Sequence, residues 1–274
     1  MEMKQPQECA AAADKGSVNK SSIGKPIRHP FWEILVRARD LALVADVTMR
    51  GAGMLWHSVS PSEFSSLYRQ VRAYTMCSTA RLRGLYRGAR YVVQSNIPGG
   101  FVECGCSRGG SAALLGLTLQ RMETHRPIWL FDTFEGLPAP TSQDPDFEIA
   151  ELYTGTCAGT LEGVRGLFTE LHLMQEAHFV KGLFQETLTA TPLPQIALLH
   201  LDGDWYESVK VCLENLYDKV APGGVIQFDD YGYWKGARKA VDEFLEYRKI
   251  EVPLQRLDYS GRVLIKPPTG VRAR

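Results

Sequence analysis

Hydrophobic spacing divides the chain near residue 96. Before that point apolar residues recur at helical intervals. Ile34, Leu35, Leu41, Val44 and Ala45 mark a helix over 32–49, and Gly51-Ala52-Gly53 ends it. A second helical stretch is predicted over 61–93. After residue 96, short apolar runs alternate with helical ones. Strands are predicted at 101–104, 127–131, 178–181, 196–201 and 224–228, and helices over 110–125, 207–220 and 236–248. Two further strand-like runs, 254–259 and 262–266, flank Ser260-Gly261. The polar, proline-rich segment 137–160 interrupts this alternation and reads as a functional loop or lid. The pattern implies an α/β fold with a doubly wound, mostly parallel sheet, an antiparallel C-terminal hairpin and an N-terminal helical cap. The chain divides into a disordered tail (1–26), the cap (27–95) and the α/β domain (96–274). No internal repeat interrupts it.

Composition narrows the partners. Lys+Arg and Asp+Glu both total 31, so the formal charge is zero. Nucleic acid and anionic membranes both reward an excess of basic residues, which argues against either as the main partner. The cluster Arg81, Arg83, Arg87 and Arg90 reads as a solvated helix face. Cys9, Cys77, Cys104, Cys106, Cys157 and Cys212 form no CxxC pair, the signature of reduced thiols rather than disulfides or a zinc site. The first thirty residues lack the apolar core of a signal peptide. The apolar stretch 41–55 is interrupted by Asp46 and Arg50 and is too short for a bilayer. A soluble cytoplasmic protein with a small-molecule partner is expected.

The first predicted strand runs into Glu103-Cys104-Gly105-Cys106-Ser107-Arg108-Gly109-Gly110-Ser111 and then a helix. In open α/β sheets ligands bind beyond the carboxyl ends of strands, and the first turn is the usual cofactor cradle. Glycine lets the backbone turn tightly and approach a ligand. The Gly-x-x-x-Gly spacing is not the Gly-x-Gly-x-x-Gly of a dinucleotide fold. An acidic strand end suits a cationic ligand, and S-adenosylmethionine (SAM) carries an ammonium and a sulfonium. Asp132 ends the second strand, 27 residues after Gly105, where a carboxylate can accept both ribose hydroxyls; given the loop before it, that reading is preferred to a cap for the next element.

His200-Leu201-Asp202-Gly203-Asp204 ends one strand and Phe228-Asp229-Asp230-Tyr231 the next, with a single helix between. Neighbouring strands lie about 4.8 Å apart, so Asp202, Asp229 and Asp230 converge at one rim. Carboxylates held together repel unless a cation compensates them. Hard oxygen ligands on rigid strand ends suit Mg²⁺. His200 reads as a packed, satisfied histidine. Trp205, Tyr206, Tyr231, Tyr233 and Trp234 read equally as an acceptor pocket or as packing. Asp144, Asp146, Glu148 and Glu151 read as the solvated face of the lid.

Taken together, Val102-Glu-Cys-Gly105, Gly109-Gly110-Ser111, Phe131-Asp-Thr-Phe-Glu-Gly-Leu-Pro138, Leu199-His-Leu-Asp-Gly-Asp204, Tyr206-Glu-Ser208 and Asp229-Asp230-Tyr231-Gly232 resemble the macrocin O-methyltransferase (TylF-like) family. The likeness runs over roughly 70–266 and includes Tyr74-Thr75-Met76 and Asn96-Ile-Pro-Gly-Gly100. It implies a class I methyltransferase (Rossmann-like) fold and SAM as donor. It also implies Mg²⁺ held by Asp202, Asp229 and Asp230, and a hydroxyl acceptor on the sugar of a glycosylated natural product. Thr75, Met76, Glu103, Gly105, Ser107, Gly109, Ser111, Asp132, Thr133, Phe134, Gly182, Phe184 and Asp202 are the cofactor positions it implies, with the Lys181-Gly182 turn among them. A homo-oligomer with contacts through the N-terminal helices is a further implication. Cys106 and the N-terminal extension depart from the family pattern.

Metal coordination lowers the pKa of a hydroxyl, and a nearby carboxylate then takes the proton. Asp204 and Asp202 both qualify as that base. Three competing readings make different demands on the sequence. A nicotinamide oxidoreductase requires the missing glycine spacing, a catechol-type methyltransferase shares donor and metal but acts on a phenol, and a non-catalytic scaffold needs no intact carboxylates.

Overall fold

The computed structural model describes residues 61–268. The tail expected over 1–26, the helix over 32–49, its Gly51-Ala52-Gly53 break and Cys9 lie outside the described residues. The strands are β1 (Gly100–Cys104), β2 (Ile128–Asp132), β3 (Ala177–Lys181), β4 (Ile196–Leu201), β5 (Val220–Phe228), β6 (Gln255–Arg256) and β7 (Arg262–Ile265). They form one sheet in the order β3-β2-β1-β4-β5-β7-β6. The first five are parallel, and β7 joins β5 antiparallel with β6 beside it. The doubly wound sheet and its C-terminal hairpin stand as expected.

The helical stretch expected over 61–93 is instead two helices, α1 (Glu63–Val71) and α2 (Thr79–Gln94), with a 3₁₀ turn at Arg72–Tyr74 between them. Serine caps start both. The Ser62 hydroxyl accepts the Ser65 N–H at 3.2 Å, and the Ser78 hydroxyl accepts the Arg81 N–H at 3.2 Å. Then follow α3 (Gly110–Arg121), α4 (Phe147–Ala150), α5 (Leu161–Glu170), α6 (Phe184–Ala190), α7 (Tyr206–Leu216) and α8 (Lys235–Tyr247). Hydrophobic spacing did not mark α4, α5 or α6. Gly163 and Gly166 lower the helix propensity of α5, and burial of Val164, Leu167 and Phe168 overrides them.

Both faces of the sheet are covered, so β1 and β4 at its centre are buried along their whole length. Phe101, Leu130, Leu198 and Val225 pack against α1, α2, α3 and α5. Val102, Phe131, Leu199 and Ile226 face α6, α7 and α8. Side chains alternate along a strand, so Glu103, His200 and Gln227 share the α2 face. These three are register partners across β1, β4 and β5, and each is fully buried. A polar row thus crosses the sheet just beneath its carboxyl rim. Among the described residues no helix is long and apolar enough to cross a membrane.

Candidate active site

The loop after β1 is shaped by its glycines. Gly105 has φ +85°, and a Cβ there would lie 1.9 Å from the Asp202 carbonyl oxygen. Gly109 caps α3 with φ +82°. The Asp132 carboxylate ties this loop down from the end of β2. It accepts the backbone N–H groups of Cys106 at 2.8 Å and Ser107 at 2.9 Å, and that of Phe134 at 2.7 Å. Ser107, with φ +46°, donates its hydroxyl to the Cys157 carbonyl at 2.7 Å, joining the loop to segment 137–160. Ser111 is buried in the first turn of α3 and Phe134 is buried beside Asp132. Thr133 donates to the Gly136 carbonyl at 2.7 Å. Thr75 accepts the Cys77 N–H at 3.1 Å, and Met76 is 49 % exposed. Gly182 turns the chain after β3 with φ +143°, and Phe184 opens α6.

Glu103 departs from its expected place. It is wholly buried, and its Oε1 lies 2.6 Å from His200 Nδ1, so it supports the rim from below rather than facing the cleft. Its Oε2 has no hydrogen-bond partner. His200 is satisfied as expected, with Nε2 3.2 Å from Asp229 Oδ1. Burial disfavours its charged form, but the two carboxylates prevail and hold the imidazolium with a pKa of about 9.

Convergence is expected of Asp202, Asp229 and Asp230, but the carboxylate oxygens that come together are those of Asp202, Asp204 and Asp230. Asp229 also pairs with the Arg81 guanidinium. Burial works against its ionisation, but Arg81 and His200 hold it at about 2. Asp202, Asp204 and Asp230 offer oxygens within 4.8 Å of one another. Burial and mutual repulsion raise Asp202 and Asp204 well above the ordinary carboxylate range and Asp230 to about 6. Three carboxylate oxygens so placed form a hard donor set, which fits Mg²⁺. A second grouping, Cys77, His200, Asp202 and Asp229, fits less well. Both His200 nitrogens are engaged, and burial keeps the Cys77 thiol protonated.

Arg81 corrects the solvated-face reading of its cluster: it is buried, whereas Arg90 pairs with Glu63 at the surface. The signal available to find it was its position three residues after the serine cap, at the turn of α2 nearest the rim. Asp144 is also corrected. Rather than solvating a lid, it is buried and accepts the Tyr206 N–H at 2.8 Å and the Thr141 N–H at 2.9 Å. The Trp205 indole donates to the Pro138 carbonyl at 2.7 Å. The Trp234 indole donates to Asp204 Oδ1 at 2.9 Å, and Tyr153 of segment 137–160 packs edge-on against the same ring. Trp205 and Trp234 are therefore packed, while Tyr206 and Tyr231 bond Glu243 and Asp242.

The profile of the macrocin-O-methyltransferase (TylF) family matches residues 63–266. The chain belongs to that family. The 8-demethyl-8-(2,3-dimethoxy-alpha-L-rhamnosyl)-tetracenomycin-C 4'-O-methyltransferase of Streptomyces olivaceus is 34 % identical over 195 residues, covering 69 % of this chain and 74 % of that protein. The demethyldecarbamoylnovobiocin O-methyltransferase of Streptomyces niveus is 34 % identical over 194 residues, with the same coverage. The solved structure of the O-methyltransferase NovP aligns with TM-score 0.68 and 31 % identity, over 71 % of this chain and 82 % of that one. CalS11, a calicheamicin methyltransferase, aligns with TM-score 0.60 at 23 % identity, a likeness of fold. This macrocin-family chain is thus an O-methyltransferase with the class I fold, and the fold implies SAM as donor.

Proposed function

We propose that this enzyme methylates a hydroxyl on the sugar of a glycosylated natural product, with Mg²⁺ at the carboxylate rim. The observation that carries this reading is the gathering of Asp202, Asp204 and the buried Asp230 beside the glycine loop. The named substrates of the relatives, a rhamnosylated tetracenomycin and mycinamicin III, support a sugar acceptor. Asp202 and Asp230 would hold the cation, with Asp229, whose oxygens also meet Arg81 and His200, as the third ligand that the family resemblance implies. A bound Mg²⁺ supplies Lewis acidity that lowers the pKa of a hydroxyl. Asp204 is the better base of the two candidates. The Trp234 N–H fixes its Oδ1 and leaves Oδ2 to receive the proton. Bound SAM would supply the methyl group, with S-adenosylhomocysteine as the by-product. Gly105, Ser107, Gly109 and Ser111 line the donor side, Thr75, Met76, Thr133, Phe134, Gly182 and Phe184 border it, and Asp132 keeps the loop amides in place. The free thiols of Cys77, Cys104, Cys106, Cys157 and Cys212 support a cytoplasmic setting.

Calorimetric titration with S-adenosylhomocysteine, with and without Mg²⁺, is the primary test. Wild type binds and Asp132→Ala loses most of the affinity; a wild type that binds under neither condition refutes the assignment. A panel of deoxysugar glycosides with free hydroxyls, assayed for S-adenosylhomocysteine release, then identifies the acceptor. Asp204→Asn abolishes turnover on it while retaining donor binding, and near-normal turnover removes Asp204 as base.

A further inference from the structure

We propose that Arg81 and His200 are positioning residues that together hold the Asp229 carboxylate in one orientation toward the cation site. This rests on the Mg²⁺ reading above. Asp229 is gripped at every polar atom. Arg81 takes Oδ2 and His200 Nε2 meets Oδ1 at 3.2 Å. The Ser260 hydroxyl donates to its carbonyl at 2.5 Å, and its own N–H donates to the Leu201 carbonyl at 2.9 Å. The grips are themselves fixed. His200 is held from β1 by Glu103 at 2.6 Å, a register partner across the sheet. Arg81 Nε lies 3.2 Å from Asp258 Oδ2, which also receives the Ser78 hydroxyl. Asp258 Oδ1 in turn accepts the N–H groups of Ser260 at 2.9 Å and Gly261 at 2.6 Å.

This chain of ion pairs runs from β1 through β4, β5 and α2 to the β6–β7 turn. Its side chains are between 0 and 12 % exposed. Stability alone does not explain it. Buried ion pairs are commonly replaceable by apolar side chains without loss, and an unpartnered buried oxygen such as Glu103 Oε2 is a cost. The array does what outer partners of metal ligands do: it sets a ligand's rotamer before the ion arrives. Asp202 meets the Cys77 thiol at 3.9 Å and Asp230 the Asp204 N–H at 3.3 Å, neither of them a charged partner, so Asp229 is the fixed point against which they adjust.

The probe is Mn²⁺, followed by electron paramagnetic resonance and calorimetry on the full chain, with S-adenosylhomocysteine affinity and melting temperature in parallel. His200→Gln and Arg81→Met weaken Mn²⁺ binding roughly 10- to 100-fold while S-adenosylhomocysteine affinity is retained. Arg81→Lys restores the charge but not the planar fork, and recovers only part of the loss. Asp258→Asn does not touch Asp229 and keeps the test alive if the buried variants fail to fold. It weakens Mn²⁺ binding by a smaller factor. Folded variants that bind Mn²⁺ as wild type does, with only the melting temperature lowered, overturn the inference. A wild type that binds S-adenosylhomocysteine but no Mn²⁺ removes the cation reading, and this inference with it, while leaving the methyltransferase assignment standing.

Discussion

Gly105 stands where β1 must turn within reach of the strand beside it. The Asp202 N–H donates to the Cys104 carbonyl at 2.9 Å, and the Asp202 carbonyl occupies the space a Gly105 side chain would need. The positive φ alone disfavours any L residue by about 1–2 kcal/mol, and the clash adds to that. Gly105→Ala should therefore lower unfolding free energy by more than that amount and displace the loop amides from Asp132. Urea denaturation read alongside S-adenosylhomocysteine titration checks both effects. Wild-type values in both would show that β1 and β4 can separate at no cost. Glu103, two residues earlier, shows the limit of reading one position at a time. Its type and place at a strand end suit a cationic ligand, but its direction depends on the sheet face, which pairs it with His200.

Segment 137–160 is a structural element in its own right, although its sequence carries the marks of a loop. Asp144 reaches across to the first amide of α7, where a carboxylate also meets the positive end of the helix. A Cβ on Gly236 would collide with the same carboxylate, so α8 closes on it as well. Asp144→Ala should cost about 0.5–2 kcal/mol, as loss of a helix cap does, and should speed proteolysis within 138–160. Limited proteolysis followed by mass spectrometry reads this directly; unchanged cleavage would mean that the Trp205–Pro138 bond suffices. The serine caps of α1 and α2 obey the same local chemistry and are visible in the sequence. Asp144 is not, because its partner lies 62 residues away.

At the scale of the molecule, the rim sets stability against activity. Asp202, Asp204 and Asp230 raise one another's pKa in a buried site, which destabilises the cation-free fold. Asp230→Asn removes one repulsive charge. Its melting temperature without metal should rise above that of wild type, while the stabilisation given by added Mg²⁺ should shrink. Melting curves with and without Mg²⁺ test this; a lower cation-free melting temperature in the variant would contradict the repulsion account. Much of the molecule follows from short-range pattern. Alternating strands and helices and the nearness of the aspartates are local signals placed by the parallel strands, and the antiparallel hairpin is a local signal of its own. Hidden from that pattern are the contacts that need three dimensions. Arg81 looks like one of four surface arginines until α2 is laid on the sheet, and the split of Asp229 from its neighbours depends on Arg81 and His200. The glycine-containing α5 owes its form to the burial of Val164, Leu167 and Phe168 rather than to its own propensity.

The β6–β7 turn carries a consequence for how the enzyme matures. Asp258 and Ser260 complete the grip on Arg81 and Asp229, yet they follow every parallel strand in the chain. A domain folds as a unit, so the loop tied by Asp132 and the rim braced by Asp258 and Ser260 become ordered together, only once the closing hairpin has left the ribosome.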